Sequence, residues 1–92
     1  MRIDFSPKAH SRLEMIAEYI YEQTKSKKLT REYLQRLREF IVVTLSVFPY
    51  AGRSSEELIS GSRKLVYQGY SIIYTLEKDQ IWILTLYREN LP

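Results

Sequence analysis

The chain contains no cysteine and a single histidine, His10. Disulfide frameworks and thiolate metal centres are thereby excluded, and one imidazole cannot supply a histidine cluster, so no metal and no cofactor is expected. Glycine and proline are scarce, three of each among 92 residues, which argues against a linker or a low-complexity segment. Long hydrophobic runs are lacking too. The longest, FIVVTLSVF, is about half a bilayer span and is interrupted by Thr44 and Ser46, and the opening MRIDFSP has no apolar signal-peptide core. A soluble cytoplasmic protein without membrane association is expected. A folded chain of this size should bury about 65% of the surface its unfolded form exposes, enough for one two-layer core. Residues 1–92 are therefore read as a single domain.

What is present is 45% hydrophobic and 27% charged, with a net charge of +3. The charge is unevenly spread. Between Lys25 and Arg38 stand six cations (Lys25, Lys27, Lys28, Arg31, Arg36, Arg38) against one acid, Glu32. Such a run is either a solvated inter-helix turn or a docking patch for an acidic partner or a nucleic-acid backbone.

Ile3 and Phe5 alternate with Arg2 and Asp4, the period of a short half-buried strand. Ser6 can cap a helix that Pro7 opens, because proline lacks only an N–H that has no helical partner at that position. Ala9, Leu13, Ile16, Ala17 and Ile20 then form one helical stripe, ending near Thr24. TKSKK reads as a turn, and Leu34, Leu37, Ile41, Leu45 and Phe48 form a second stripe, with Thr30 as its expected N-cap and Pro49 as its stop. Two helices so joined make an antiparallel hairpin. Phe48 to Ser62 reads as a loop with one helical turn around Glu56 to Ile59. Beyond it the period becomes two: Leu65 and Tyr67 oppose Lys64 and Val66, Gln68-Gly69 turns the chain, and Tyr70, Ile72, Tyr74 and Leu76 oppose Ser71, Ile73 and Thr75. Lys78-Asp79 makes a second turn into QIWILTLY, a strand apolar on both faces and hence central, with Trp82 in the core. RENLP is a terminal extension. The expected fold is α+β, order β-αα-βββ: an antiparallel-dominated twisted sheet with a helical hairpin packed on one face. The other face should be partly open, with aromatic and cationic side chains.

The sequence resembles the RelE/ParE superfamily of toxins from type II toxin-antitoxin pairs over nearly its whole length. The resemblance is carried by the helix-pair string Ala9, Leu13, Ile16, Tyr19-Ile20, Leu34, Leu37, Ile41 and Leu45 and the loop Phe48-Pro49-Tyr50-Ala51-Gly52-Arg53. It continues through Arg63-Lys64-Leu65, Gly69-Tyr70 with Ile73-Tyr74, and Ile81, Ile83-Leu84 and Tyr87-Arg88. It implies a small basic toxin held inactive by a cognate antitoxin. The RelE-like branch cuts messenger RNA at the ribosome without metal, using cations for phosphate and a general base for the ribose 2′-hydroxyl. The ParE-like branch shares the fold and poisons DNA gyrase.

For a ribonuclease the matching residues are Arg63, Lys64, Tyr87 and Arg88, and each also has an ordinary reading. Arg63 can bond loop carbonyls or pair with Glu56 or Glu57, Lys64 can be solvated, and Arg88 can lie along a sheet edge. The departure is Ser71: the residue after Tyr70 is usually arginine in the cutting branch, and serine cannot give a phosphate two charge-assisted bonds. His10 is read as a helix-surface residue, and Tyr67, Tyr70 and Tyr74 as packing rather than base-stacking residues. No catalytic residue is favoured. The expectation is a ParE-like toxin that binds and stalls DNA gyrase. A ribosome-dependent messenger ribonuclease and an inactive relative that only binds antitoxin are the alternatives. Lys27, Lys28, Arg31, Arg53, Arg63, Lys64 and Arg88 are the expected binding residues for target or antitoxin.

Overall fold

In the computed structural model, which describes residues 1–89, β1 (Arg2–Phe5) leads through Ser6 into α1 (Pro7–Thr24) and α2 (Lys27–Val47). β2 (Arg53–Ser54), β3 (Ser62–Tyr67), β4 (Tyr70–Glu77) and β5 (Gln80–Arg88) follow. The strands lie in the order β1-β5-β4-β3-β2; β1 runs parallel to β5, and all other pairs are antiparallel. The α+β order inferred from sequence is therefore present, with β2 as an added edge strand. Two residues carry no readable period, which is why β2 escapes sequence reasoning. The strand QIWILTLY is interior, flanked by β1 and β4, while β4 is the middle strand.

Ser6 explains how the first strand becomes a helix. Its hydroxyl accepts the Ala9 N–H at 3.0 Å and donates to the Leu84 carbonyl at 2.7 Å, so one side chain caps α1 and ties it to β5. The second cap lies at Ser26, which accepts from Leu29 N–H at 3.1 Å, and not at Thr30 as expected; Thr30 sits one turn inside and donates back to the Ser26 carbonyl. The inter-helix turn accordingly shrinks from five residues to Lys25-Ser26, with Lys25 in the left-handed conformation at φ 54°. Around Glu56 the chain makes a single turn, closed by Leu58 and Ile59 N–H on the Ser55 carbonyl at three- and four-residue spacing, and does not extend into a helix. Gln68 and Gly69, both at positive φ, make the β3-β4 hairpin turn as read.

The two helical stripes, through Ala9, Leu13, Ile16, Leu34, Leu37, Ile41 and Leu45, pack on one sheet face formed by Leu65, Tyr70, Ile72, Tyr74, Ile81, Ile83 and Leu86. Burying each large aliphatic side chain contributes about 1.5–3 kcal/mol before entropy is counted. A bulge decides which β5 residues join this face. Ile73 pairs with Thr85 and Tyr74 with Ile83, leaving Leu84 as the extra residue. Leu86 is thereby brought into phase with Ile81 and Ile83, and Trp82 is left on the opposite face, 41% exposed. The expectation of Trp82 in the core fails for this reason. Residues 90–92 of the expected tail lie outside the described residues. Arg88 closes β5 instead of belonging to the tail.

Candidate functional site

The face of the sheet away from the helices is crossed by Arg53 on β2, Lys64 on β3, Ser71 on β4 and Tyr87 on β5. Arg53 stands directly opposite Lys64, and Ser71 opposite Tyr87. Just past β5, the Glu89 N–H bonds the Gly69 carbonyl at 2.7 Å. This turns the Glu89 carboxylate over the face, where it forms an ion pair with Lys64 and accepts the Ser71 hydroxyl. The Lys64 side chain keeps only 10% of its exposure. Its ammonium also lies 5.9 Å from the Tyr87 ring centre. The Lys64 hydrogen bond, followed by that from Ser71, holds the Glu89 carboxyl below the usual glutamate range. The same hydrogen bond raises Lys64, against the opposing effect of burial. The centre of the open face is therefore an internally neutralised Lys64-Glu89-Ser71 network, with Arg53, Trp82 and Val66 exposed beside it and no carboxylate paired with Arg53 among the described residues.

Arg63, next in sequence to Lys64, points the other way. Its Nε donates to the Gly52 carbonyl at 2.8 Å and its Nη2 to the Tyr50 carbonyl at 3.3 Å, with the guanidinium over the Tyr50 ring. The same loop is latched by Tyr74, whose hydroxyl accepts Gly52 N–H at 3.0 Å and donates to the Pro49 carbonyl at 2.8 Å. Gly52 is required here because a Cβ would meet the Lys64 carbonyl oxygen and the Tyr74 ring at 2.8 Å. Pro-x-x-Gly-Arg thus closes the hairpin over the sheet edge, and Arg63 is consumed in holding it.

Arg88 also leaves the open face. It pairs in register with Tyr70 on the helix side and stacks over Tyr19 of α1 at 4.7 Å and over Tyr70 at 5.8 Å. Together with Arg12, Met15, Ile16 and Leu86 these rings border a groove between α1 and β5 of about 200 Å³. Tyr70 is 3% exposed, and its hydroxyl is the one buried polar side-chain atom without a hydrogen-bond partner among the described residues. Burial raises its pKa, and the Arg88 guanidinium, the donor nearest that oxygen although outside strict hydrogen-bond geometry, opposes the rise.

The four residues of the ribonuclease set are therefore divided by the sheet: Lys64 and Tyr87 on the open face, Arg63 at the loop, Arg88 in the groove. Lys27, Lys28 and Arg31 are exposed on α2 and have no carboxylate partner among the described residues, whereas Lys25 pairs with Glu22. His10 is an exposed helix residue whose ring lies 5.9 Å from that of Phe5. Tyr74 and Tyr70 are core residues and Tyr67 packs on Phe40 at 4.5 Å, so these three rings are packing residues as read. Sequence reasoning missed Glu89 and the Tyr19-Tyr70-Arg88 stack. Glu89 falls on the open face by continuing the alternation two residues past Tyr87, beyond the strand end read from QIWILTLY, and the stack joins residues 69 positions apart. Among the described residues there is no grouping of three His, Asp or Glu able to hold a metal ion, and no helix is long and apolar enough to cross a membrane.

The fold has close relatives among solved structures. The chromosomal ParDE toxin-antitoxin system from P. aeruginosa superposes with a TM-score of 0.79 at 21% identity, over 98% of this chain and 97% of that one. The toxin-antitoxin complex RelBE2 from Mycobacterium tuberculosis gives 0.69 at 19% identity, over 96% of each chain. At these identities the likeness establishes the shared fold. No curated protein sequence matches the chain. Residues 3–89 do match the ParE toxin family of type II toxin-antitoxin systems, parDE. With the helical hairpin, the latched Pro-x-x-Gly-Arg loop and the hairpin strands all falling inside that match, the chain belongs to the ParE toxin family within the RelE/ParE superfamily.

Proposed function

We propose that this toxin acts by binding DNA gyrase and stalling it, makes and breaks no bond itself, and is held inactive by a cognate antitoxin. The observation that supports this most strongly is the Lys64-Glu89-Ser71 network. Cleavage of a phosphodiester without metal needs cations free to meet the charge that develops on the phosphate. Here the lysine at the centre of the open face is already neutralised, and the carboxylate that does so would repel a phosphate. Arg63 is tied to two loop carbonyls, and Arg88 lies on the other side of the sheet. A face whose central lysine is answered within the chain, with Arg53 exposed beside it and Trp82 among its exposed residues, suits recognition of a protein. Both gyrase and ribosome are cytoplasmic targets, so a cytoplasmic location goes with this function.

One contact favours a ribosome-dependent ribonuclease as the second reading: Lys64 and Tyr87 do meet on the open face, and a ribosome that drew Glu89 away would free them to meet messenger RNA. Induced expression separates the two. Gyrase stalling predicts relaxed or cleaved plasmid DNA with intact transcripts. Transcripts severed at codon-linked positions, with plasmid supercoiling unchanged, would sink the gyrase reading.

A further inference from the structure

The charges of the two helices are segregated. On α1, Glu14, Glu18 and Glu22 stand exposed at four-residue spacing along one side. On α2, Lys27, Lys28, Arg31 and Arg38 are exposed, and the last three border a groove of about 470 Å³ with Glu32, Gln35 and Glu39. At 1.5 Å per residue the row from Lys28 to Arg38 is about 15 Å long. None of the four cations has a carboxylate within ion-pair distance among the described residues, whereas Lys25 takes Glu22 and Lys64 takes Glu89. Glu32 and Glu39 border the row, the latter accepting the Gln35 amide at 3.1 Å, and two acids against four cations leave it positive. The arrangement is also unfavourable for the free protein. Lys27 and Lys28 open a 21-residue helix that has no acid in its first turn, so they lie at the positive end of the helix dipole, and Arg31 follows them at like-charge spacings of four and three residues. Cations held against that repulsion and unanswered within the chain call for an anion outside it.

We propose that the Lys27-Lys28-Arg31-Arg38 row of α2 docks on the phosphate backbone of duplex DNA and reads no bases. A protein interface needs an aromatic or aliphatic anchor to bury, and the apolar side chain in this groove, Leu34, is already committed to the core at 7% exposure. Single strands need rings on which bases can stack. Leu29 and Tyr33 each stand two residues from Arg31 and hence on the other side of the helix, and the Tyr33 ring is packed edge-on against Tyr70 at 6.2 Å with the Arg36 guanidinium over it. What remains is a line of long cations without a ring, which suits phosphate contact, because duplex DNA carries about one negative charge per 1.7 Å of its axis. The carboxylates of Glu14, Glu18 and Glu22 repel the same backbone from α1 and so confine the contact to α2. The inference stands without the gyrase reading, although a toxin that holds DNA weakly is concentrated where an enzyme of DNA works.

The test uses the whole toxin and a labelled mixed-sequence duplex of about 20 base pairs, followed by fluorescence anisotropy between about 50 and 200 mM salt. Binding should be weak, with a dissociation constant of about 10⁻⁴–10⁻⁶ M near physiological salt, and log K should fall against log salt with a slope of about −3 to −4, from about 0.9 per neutralised phosphate. Lys28→Gln, Arg31→Gln and Arg38→Gln should each make that slope shallower by about one, and equally so on a second duplex of unrelated sequence. Lys78→Gln, in the exposed turn between β4 and β5, should leave it unchanged. Lys28→Gln should also melt at the same temperature or slightly higher, since it relieves the positive helix end, which separates lost binding from lost fold. A slope that ignores the row variants, an equal change with Lys78→Gln, or tighter binding of a poly-glutamate peptide or a single strand than of the duplex at the same salt would each overturn the proposal. The anisotropy measurement contains no gyrase, and plasmid supercoiling scores that reading by itself, so the two fail separately.

Discussion

The two faces of the sheet treat charge and packing in opposite ways. On the helix side, Tyr74, Ile72, Ile83 and Leu86 are fully buried against the helical stripes, while the cation at its rim, Arg88, has only aromatic rings for company. On the open side Ile73 of β4 is buried while Val66 and Trp82 are exposed, and the central cation is paired and hydrogen-bonded within the chain. Stability should therefore reside on the helix side and charge neutralisation on the open side. A basic residue's presence says little about function until the group that answers its charge is known.

The largest effect that could break this comparison is at Tyr74, which fills the core and latches the loop. Tyr74→Ala should cost about 3–5 kcal/mol through lost burial and the cavity left behind, measured as a fall in the urea midpoint. That is a large share of the roughly 5–15 kcal/mol that typical domains possess. Ser71→Ala on the open face removes one hydroxyl from a carboxylate that keeps its lysine, and should move the midpoint far less. Comparable losses at the two positions would show that the open face carries stability as well.

A smaller effect is expected where the faces meet at the sheet edge. Gly52→Ala places a methyl 2.8 Å from the Lys64 carbonyl oxygen and the Tyr74 ring. Because one of those neighbours is backbone, the loop must lift, at a cost of about 1–3 kcal/mol. The lift should also loosen the Arg63 bonds to the loop, read as faster hydrogen exchange at the Gly52 N–H. An alanine variant with unchanged exchange and unchanged midpoint would mean that the loop is not clamped against β3.

These differences also mark what the sequence could disclose. The helical stripes, the Gln68-Gly69 turn and the alternation in β3 and β4 were legible because each is a local period or a local turn preference, and together they place the helices on one face. The fate of Trp82 was not, because it depends on a one-residue bulge at Leu84 that shifts β5 in phase midway. The sequence marks Ser6 as a cap, but its second bond, to the Leu84 carbonyl, is a tertiary contact that no local pattern encodes. At the site, the sequence shows Ser71 where the resemblance leads one to expect a cation. What it does instead, bonding Glu89, depends on the β4-β5 ladder running one pair beyond the strand end read from the sequence.

The smallest expected effect concerns pH, and it tests the pairing on the open face directly. Hydrogen bonds from Lys64 and then Ser71 hold the Glu89 carboxyl below its ordinary value of 4.5, and the bond to Glu89 holds Lys64 above its ordinary 10.5. A depressed carboxyl contributes its stabilisation above the unfolded value and loses it as pH falls through the folded one. A raised ammonium contributes below its unfolded value and loses it as pH rises through the folded one. The contribution of the pair is thus constant across neutral pH and declines at both ends. A 13C titration of the Glu89 carboxyl should give a midpoint below 4.5, moved up by Lys64→Met and less by Ser71→Ala. Should the midpoint ignore Lys64→Met, the carboxylate is not answering the lysine. The open face would then offer a second free cation beside Arg53, and the case for a toxin that only binds would weaken with it.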